Sequence, residues 1–265
     1  MSTDTHLDAA VVVLSSDGYG DFWPIFFEFF EKHSGLTALP LYLLAEQKTH
    51  EHPRLKTINY PHLINAPWST RIAFGLRAIE HTHVIIFTED LLCTIPCSFA
   101  DWQQLARFSL VKDATCIRMA PVPPPHPRNL GTFSTLCAHA LHRVSLQPSL
   151  WKRARLLELL IDGETPWEFE VNGSRRSRPD PAFFCSNEPL LHYQEVIGRG
   201  RVTRKGGRLI RSAGLGSHLT RPLYSRFDEI ERNLSHLKAR MFYAIPPAIQ
   251  DLLIRKGLVG RAFHD

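Results

Sequence analysis

Short apolar runs alternate with amphipathic segments along the first 120 residues. Ala9 to Leu14 reads AAVVVL and ends in Ser-Ser-Asp-Gly, the pattern of a buried parallel strand feeding a loop. Trp23 to His33 (WPIFFEFFEKH) predicts a helix with Pro24 in its first turn. Leu39 to Leu44 predicts a second strand. Pro67-Trp68-Ser69 opens a second helix, with Ser69 as its N-cap. His83 to Phe87 predicts a third strand, which ends in Thr88-Glu89-Asp90. Phe99 to Phe108 reads as a helix and Thr115 to Met119 as a strand. Apolar strands alternating with helices imply an α/β chain with a doubly wound, mostly parallel sheet. In such sheets ligands bind beyond the carboxyl ends of the strands. Two acidic loops sit at such ends, Ser15-Ser16-Asp17 and Thr88-Glu89-Asp90.

The pattern then changes. Pro121 to Arg128 (PVPPPHPR) predicts an extended loop, too short for a flexible interdomain linker. From His142 to Ser177 the chain packs Gln147, Trp151, Trp167, Glu164, Glu168, Glu170 and several arginines into a short span. Glu164 to Glu170 shows no helical or strand period, and Pro166 forbids a helix through it except in a first turn. A loop and helix start is expected there. Beyond residue 205 the chain is glycine-rich and basic, and Ile230 to Phe263 reads as one or two basic amphipathic helices broken at Pro246-Pro247.

Composition narrows the classes. The 265 residues are 44% hydrophobic and 22% charged, which fits a folded α/β domain and excludes a disordered chain. The net charge of +5 is a mild excess that fits a nucleotide phosphate or an anionic membrane as well as nucleic acid, and without aromatic-interleaved basic repeats nucleic acid is the weaker option and is not expected. The five cysteines form no disulfide or zinc framework and are expected to be free thiols. The opening MSTDTHLDAA lacks a signal-peptide pattern, and no apolar run reaches membrane-span length, which places the expectation in the cytoplasm.

The candidate chemistry starts at Glu89-Asp90. Two acids at a strand end suit Mg²⁺ or Mn²⁺ held against a diphosphate; the bland alternative is that Asp90 caps a turn. Gly18 and Gly20 let the backbone approach a ligand, Tyr19 can stack on a base, and Asp17 can accept from a base or ribose; the alternative is a plain βα turn. No GxGxxG, GxxxxGK[ST] or GxSxG occurs, which argues against a dinucleotide site, a P-loop and a nucleophile elbow. Among fourteen histidines, His192 alone is kept, as a possible metal ligand. In the Trp/Glu segment, acids that accept hydroxyl protons and indoles that cover ring faces suit a sugar; the alternative is an exposed acidic loop with packing tryptophans.

These residues also resemble a family of bacterial surface-polysaccharide biosynthesis proteins, glycosyltransferase-like and of GT-A type. The shared pattern is Ser15-Ser16-Asp17-Gly18-Tyr19 with Asp21-Phe22-Trp23-Pro24, then Trp68-Ser69, the strand end Glu89-Asp90, Arg143 to Gln147 with Trp151, and Glu164 to Glu170 with Gly173-Ser174 and Arg176-Ser177. It covers residues 9 to 207. The resemblance implies a GT-A-like, Rossmann-like catalytic domain over 1–207, with a nucleotide-binding half (1–120) and an acceptor half (129–207), followed by a basic helical extension over 208–265. It implies inverting transfer from a nucleotide-sugar donor to a glycan or lipid-linked glycan acceptor. Ser15, Asp17, Tyr19, Trp68 and Ser69 would hold the nucleotide, and Glu89, Asp90 and His192 a Mn²⁺ or Mg²⁺ ion. Arg143, Gln147, Trp151 and Trp167 would hold the acceptor. The base falls on Glu164 or Glu168; Glu164 is preferred because Glu168 and Glu170 are expected to pair with Arg175 and Arg176. The chain has Thr-Glu-Asp where better-known GT-A enzymes carry Asp-x-Asp, which leaves metal dependence open.

Two rival classes use the same residues: a non-catalytic nucleotide- or glycan-binding component of an assembly complex, and a phosphoryl or nucleotidyl transferase. For the tail the expectations are peripheral contact with an anionic membrane, or packing on the catalytic domain with the charges in water.

Overall fold

The structure is a computed structural model that describes residues 7–125 and 127–256. The first half runs β1 (Ala9–Leu14), α1 (Trp23–His33), β2 (Leu41–Ala45), β3 (Leu55–Asn59), α2 (Trp68–Arg77), β4 (His83–Thr88), β5 (Leu91–Ile95), α3 (Phe99–Lys112) and β6 (Cys116–Arg118). The second half runs β7 (Phe133–Thr135), β8 (Ser149–Lys152), α4 (Arg153–Leu159), α5 (Pro166–Arg176), β9 (Phe183–Ser186), β10 (His192–Glu195), β11 (Ile197–Gly198), β12 (Arg201–Val202), α6 (Arg204–Ser212), α7 (Arg226–Tyr243) and α8 (Pro247–Arg255).

Eight strands form one mixed sheet in the order β3-β2-β1-β4-β8-β6-β9-β7. The block β3-β2-β1-β4 is parallel, and β8 then runs antiparallel to both β4 and β6. The chain winds outward from β1 to β2 and β3, then returns to place β4 on the other side of β1. The strand order therefore reverses between β1 and β4, and a crevice opens there beyond their carboxyl ends.

Strand β1 shows why the sheet is buried on both faces. Ala9, Val11 and Val13 pack with Phe26, Phe30 and Phe87 in one core. Val12 and Leu14 pack with Ile72, Leu76, Trp151 and Phe169 in the other. Helix α2 lies so close to β2 that a Cβ on Gly75 would stand 2.7 Å from Leu44, which explains glycine in mid-helix.

The expected strands and helices of the first half form, with two additions. Strand β3 was not foreseen, because LKTIN is polar and only partly buried at the sheet edge. Strand β5 pairs antiparallel with β10 in a separate two-stranded sheet that turns directly off Asp90. One local expectation is corrected and one is refined. Ser69 is the second residue of α2, and Pro67 occupies the N-cap. The Glu164–Glu170 segment is the expected loop and helix start with Pro166 in the first turn, but the helical course that its sequence did not show runs through it: Thr165 caps α5, Glu168 completes a capping box, and Pro166 sits at the first helical position.

The extension expected from residue 208 does not begin there. The boundary falls inside α6, and Ile210, Leu209, Leu215 and Leu219 pack into the first core. In α7, Phe227, Ile230, Leu234, Leu237 and Met241 are exposed, while Phe242 is buried; this runs against the expectation of a helix packed by its apolar side with its charges in water, and leaves the expectation of membrane contact open. No helix among the described residues is long and apolar enough to cross a membrane. The expectations for Met1 to His6 and for the tail beyond Lys256 lie outside the described residues.

Candidate functional site

The crevice is built by the loops that leave β1 and β4. Ser15 continues β1 and accepts a hydrogen bond from Trp23 Nε1 at 2.8 Å, which fixes the loop to α1. Glu89 and Asp90 follow β4. Glu89 is 5% exposed, and its Oε2 and the Oδ1 of Asp90 are buried without a hydrogen-bond partner. Burial pushes the Glu89 carboxyl well above the usual range, and the adjacent Asp90 adds to the shift. Burial also raises Asp90, against a hydrogen bond from Thr88 and with the carboxylates of Glu195 and Glu170 adding to the rise. Unpaired buried acid oxygens are costly, so their retention marks a place where a proton or a cation is held.

Around this pair the β1 loop is cross-braced. Asp17 accepts from the backbone N–H of Gln47 and Lys48 at 3.1 and 3.0 Å, while its own N–H donates to Glu46 at 2.6 Å. Tyr19 lies close enough to Glu89 and Asp90 that its hydroxyl is raised, by burial first and then by those carboxylates. Arg221 stacks over the Tyr19 ring at 4.4 Å and forms a fork on Asp21, and it also donates to the Gly18 carbonyl. A basic residue from beyond α6 thus closes the loop 200 residues earlier.

A cavity of about 930 Å³ is walled by the Pro121–Pro124 loop, the His142–Gln147 segment, Glu195 and the inner side of α7; Glu89 and Asp90 do not line it, but its Glu195 and Glu170 carboxylates are near enough to act on Asp90. Its floor is organised by Glu170. That carboxylate accepts from Leu146 N–H at 2.7 Å and from Ser145 Oγ at 3.0 Å, and it faces His142 Nδ1 at 3.5 Å. Burial opposes its ionisation, but these partners, His142 foremost, hold the carboxyl below the usual range. His142 adopts φ = 51°, a left-handed backbone that a non-glycine residue takes up only under constraint. Gln147 Oε1 accepts from Tyr193 OH at 2.7 Å on the same wall.

The expected site residues divide accordingly. Ser15, Asp17, Tyr19, Glu89 and Asp90 gather at the crevice, and Gln147 lines the cavity. Trp167 is 57% exposed on the first turn of α5. Trp151 is fully buried in the second core, with Nε1 donating to Ser149 Oγ, so it presents no face to a sugar. Arg143 is 1% exposed, stacks 4.1 Å over Phe183 and donates to Ser177 and Asp180, which makes it an internal latch. Trp68 packs on Phe169, and buried Ser69 exchanges hydrogen bonds with Glu164 through its N–H and Oγ; both serve the α2–α5 junction.

The expected base is also occupied. Arg176 grips both oxygens of Glu164 at 2.7 and 2.6 Å, and Asn172 adds a third bond at 3.0 Å. Burial opposes ionisation of Glu164, but Arg176 and Asn172 hold its carboxyl below the usual range. Glu168 spends its carboxylate on the Thr165 N–H and hydroxyl in the capping box. The expected pairing is thus inverted, since Arg176 takes Glu164. His192 pairs with Ile95 in the β5–β10 ladder, about 16 Å of strand beyond Asp90, so the register carries it away from the acids. That same register brings Glu195 beside Asp90, whose carbonyl accepts from Val196 N–H.

Reasoning from sequence missed Glu170, His142, Glu195 and Arg221 as members of the site. Glu170 and His142 stood inside the segment singled out; the other two meet the acids only through long-range topology.

Among the described residues, no group of three or more His, Cys, Asp or Glu side chains forms a metal cage. Two carboxylates with unpaired oxygens do fit a cation of the Mg²⁺ class, which completes its shell with water and substrate phosphates. No known family model matches the chain, and no curated protein matches it.

Proposed function

We propose that the protein is a GT-A-type glycosyltransferase that moves a sugar from a nucleotide-activated donor to a bacterial surface glycan or its lipid-linked precursor. The observation that carries this reading is the buried pair Glu89–Asp90, with one unpaired oxygen on each, at the strand-order reversal; the Glu195 that acts on Asp90 belongs to the wall of a cavity large enough for a saccharide. The motif resemblance gives the reaction class, and the parallel block β3-β2-β1-β4 supports the fold it implies.

In this reading Tyr19 and the braced Ser15–Asp21 loop receive the nucleoside. Glu89 and Asp90 would hold Mg²⁺ or Mn²⁺, which would supply positive charge against the departing diphosphate. The cavity takes the acceptor between Gln147, His142 and the inner side of α7. Because Glu164 is held by Arg176, the proton-accepting role passes to His142. With Nδ1 directed to Glu170, Nε2 is the nitrogen left for a substrate proton. The acceptor oxygen attacks the sugar carbon, the bond from that carbon to the diphosphate oxygen breaks, and the electron pair leaves with the nucleoside diphosphate. The hydroxyl proton goes to His142.

The test is a panel of nucleotide sugars with Mn²⁺ or Mg²⁺ and glycan acceptors, scored for the released product. Release of nucleoside diphosphate with a glycosylated acceptor is expected. Release of pyrophosphate would assign a nucleotidyl transferase, and glycan binding without nucleotide turnover would assign a non-catalytic component.

A further inference from the structure

Helix α7 is built with its polar side inward. Asp228, Arg232, Ser235, Ala239 and Tyr243 line the cavity. The opposite side carries Phe227, Ile230, Leu234, Leu237 and Met241, each between 53 and 75% exposed. Their spacing of 3, 4, 3 and 4 residues is the heptad seam by which one helix packs against another, rather than the wider apolar face that an isolated surface helix buries. Helix α7 is 18 residues, so the seam runs for about 27 Å.

We propose that this seam is the contact surface for a second copy of the same chain, with the two α7 helices packed antiparallel about a two-fold axis. The flanking charges favour this occupant. Glu231 and Lys238 lie on the same edge of the seam, seven residues apart and both exposed. An antiparallel register that faces Leu234 with the partner's Leu237, and Ile230 with the partner's Met241, brings Glu231 level with the partner's Lys238. The two-fold axis repeats the contact in reverse, so each copy supplies both signs. Glu231 already reaches Arg199 of its own chain at 3.2 Å, and both side chains of that pair stay about half exposed, which leaves the carboxylate open to a second cation. An anionic membrane is the competing occupant, since Arg226, Lys238 and Arg240 are exposed beside the seam; the antiparallel copy is favoured because it alone also gives Glu231 an opposite charge. A single helical seam is small, so the dimer is expected to form in the micromolar range. Helix α7 is also the outer wall of the cavity, so a partner would brace that wall.

Sedimentation velocity over a concentration series tests the contact. The wild-type chain is expected to dimerise. Leu234→Glu, which puts a charge in the seam, is expected to raise the dimer Kd about a hundredfold or more while the circular dichroism spectrum is unchanged. Glu231→Lys and Lys238→Glu are each expected to raise it about fivefold by setting like charges face to face. The double exchange, Glu231→Lys with Lys238→Glu, is expected to restore it. If Leu234→Glu does not fold, the exposed charge exchanges decide the matter alone. A monomeric wild type, a dimer indifferent to Leu234→Glu, or a double exchange no tighter than the single ones would overturn the proposal. So would a monomer that sediments with phosphatidylglycerol vesicles through this helix.

Discussion

Glu89 and Asp90 keep Oε2 and Oδ1 buried without a hydrogen-bond partner, whereas Glu164, Glu168 and Glu170 accept from Arg176 and Asn172, from the Thr165 cap, and from Leu146 and Ser145. Written as sequence, the second group looks richer in chemistry, with three acids and a tryptophan in seven residues. Folded, its acids hold helices together and orient one histidine. The contrast lies in the partners. A carboxylate whose lone pairs are filled by protein donors is a structural part, and one whose buried oxygens are left open is reserved for something absent from the chain.

The largest effect expected from this contrast is on turnover. Asp90→Asn should lower glycosyl transfer about 10³-fold or more, with the fold intact by circular dichroism. His142→Gln should lower it roughly 10²–10⁴-fold while leaving nucleoside diphosphate binding unchanged in calorimetry. By contrast, Glu164→Gln should retain most of the transfer rate, since that carboxylate is engaged by Arg176. A Glu164→Gln variant that folds yet transfers no sugar would return the base to Glu164.

Stability reverses the ranking. Arg176→Ala leaves Glu164 without its cation and should cost about 2 kcal/mol in chemical denaturation. This is less than for a fully buried pair, because Arg176 keeps partial contact with water. Thr165→Ala removes the α5 cap and should cost about 1 kcal/mol. Glu89→Gln should do the opposite. Its carboxyl is raised in the fold, so the folded state binds the proton more tightly than the unfolded state. The metal-free protein is thus favoured in mild acid and loses that contribution as pH climbs through the raised value. Melting temperatures should therefore show Glu89→Gln gaining on the wild type as pH rises. A constant difference across pH would mean that the fold does not raise the Glu89 carboxyl.

Much of the frame was legible because the first half is locally consistent. The apolar run of β1, the Pro24 start of α1 and the run of β4 each state their element without help from elsewhere, and the acids at the strand ends follow from topology. Strand β3 was hidden by its edge position, where polar residues are tolerated. The α5 start was readable in Thr165-Pro166-Trp167-Glu168, a capping-box spacing that the acids and aromatic residues obscured. Trp151 and Arg143 could not be placed from sequence, since a tryptophan or arginine in a polar stretch serves a core as readily as a ligand; β8 settles the first by running through the middle of the sheet. Arg221 and Glu195 lie far along the chain from the loops they meet, and only the folded topology brings them in. The apolar face of α7 was visible as composition, but its outward direction was not.

The central claim is that Glu89 and Asp90 are held open for a cation and a nucleoside diphosphate. Calorimetric titration of UDP and GDP into the wild type, with and without Mn²⁺, in buffers of different ionisation enthalpy, tests it most directly. The account predicts binding that requires Mn²⁺, strengthens as pH rises, releases protons from the raised carboxyls, and falls at least about 100-fold in Asp90→Asn. Nucleotide binding of equal strength without the metal, or binding that Asp90→Asn leaves intact, would contradict it.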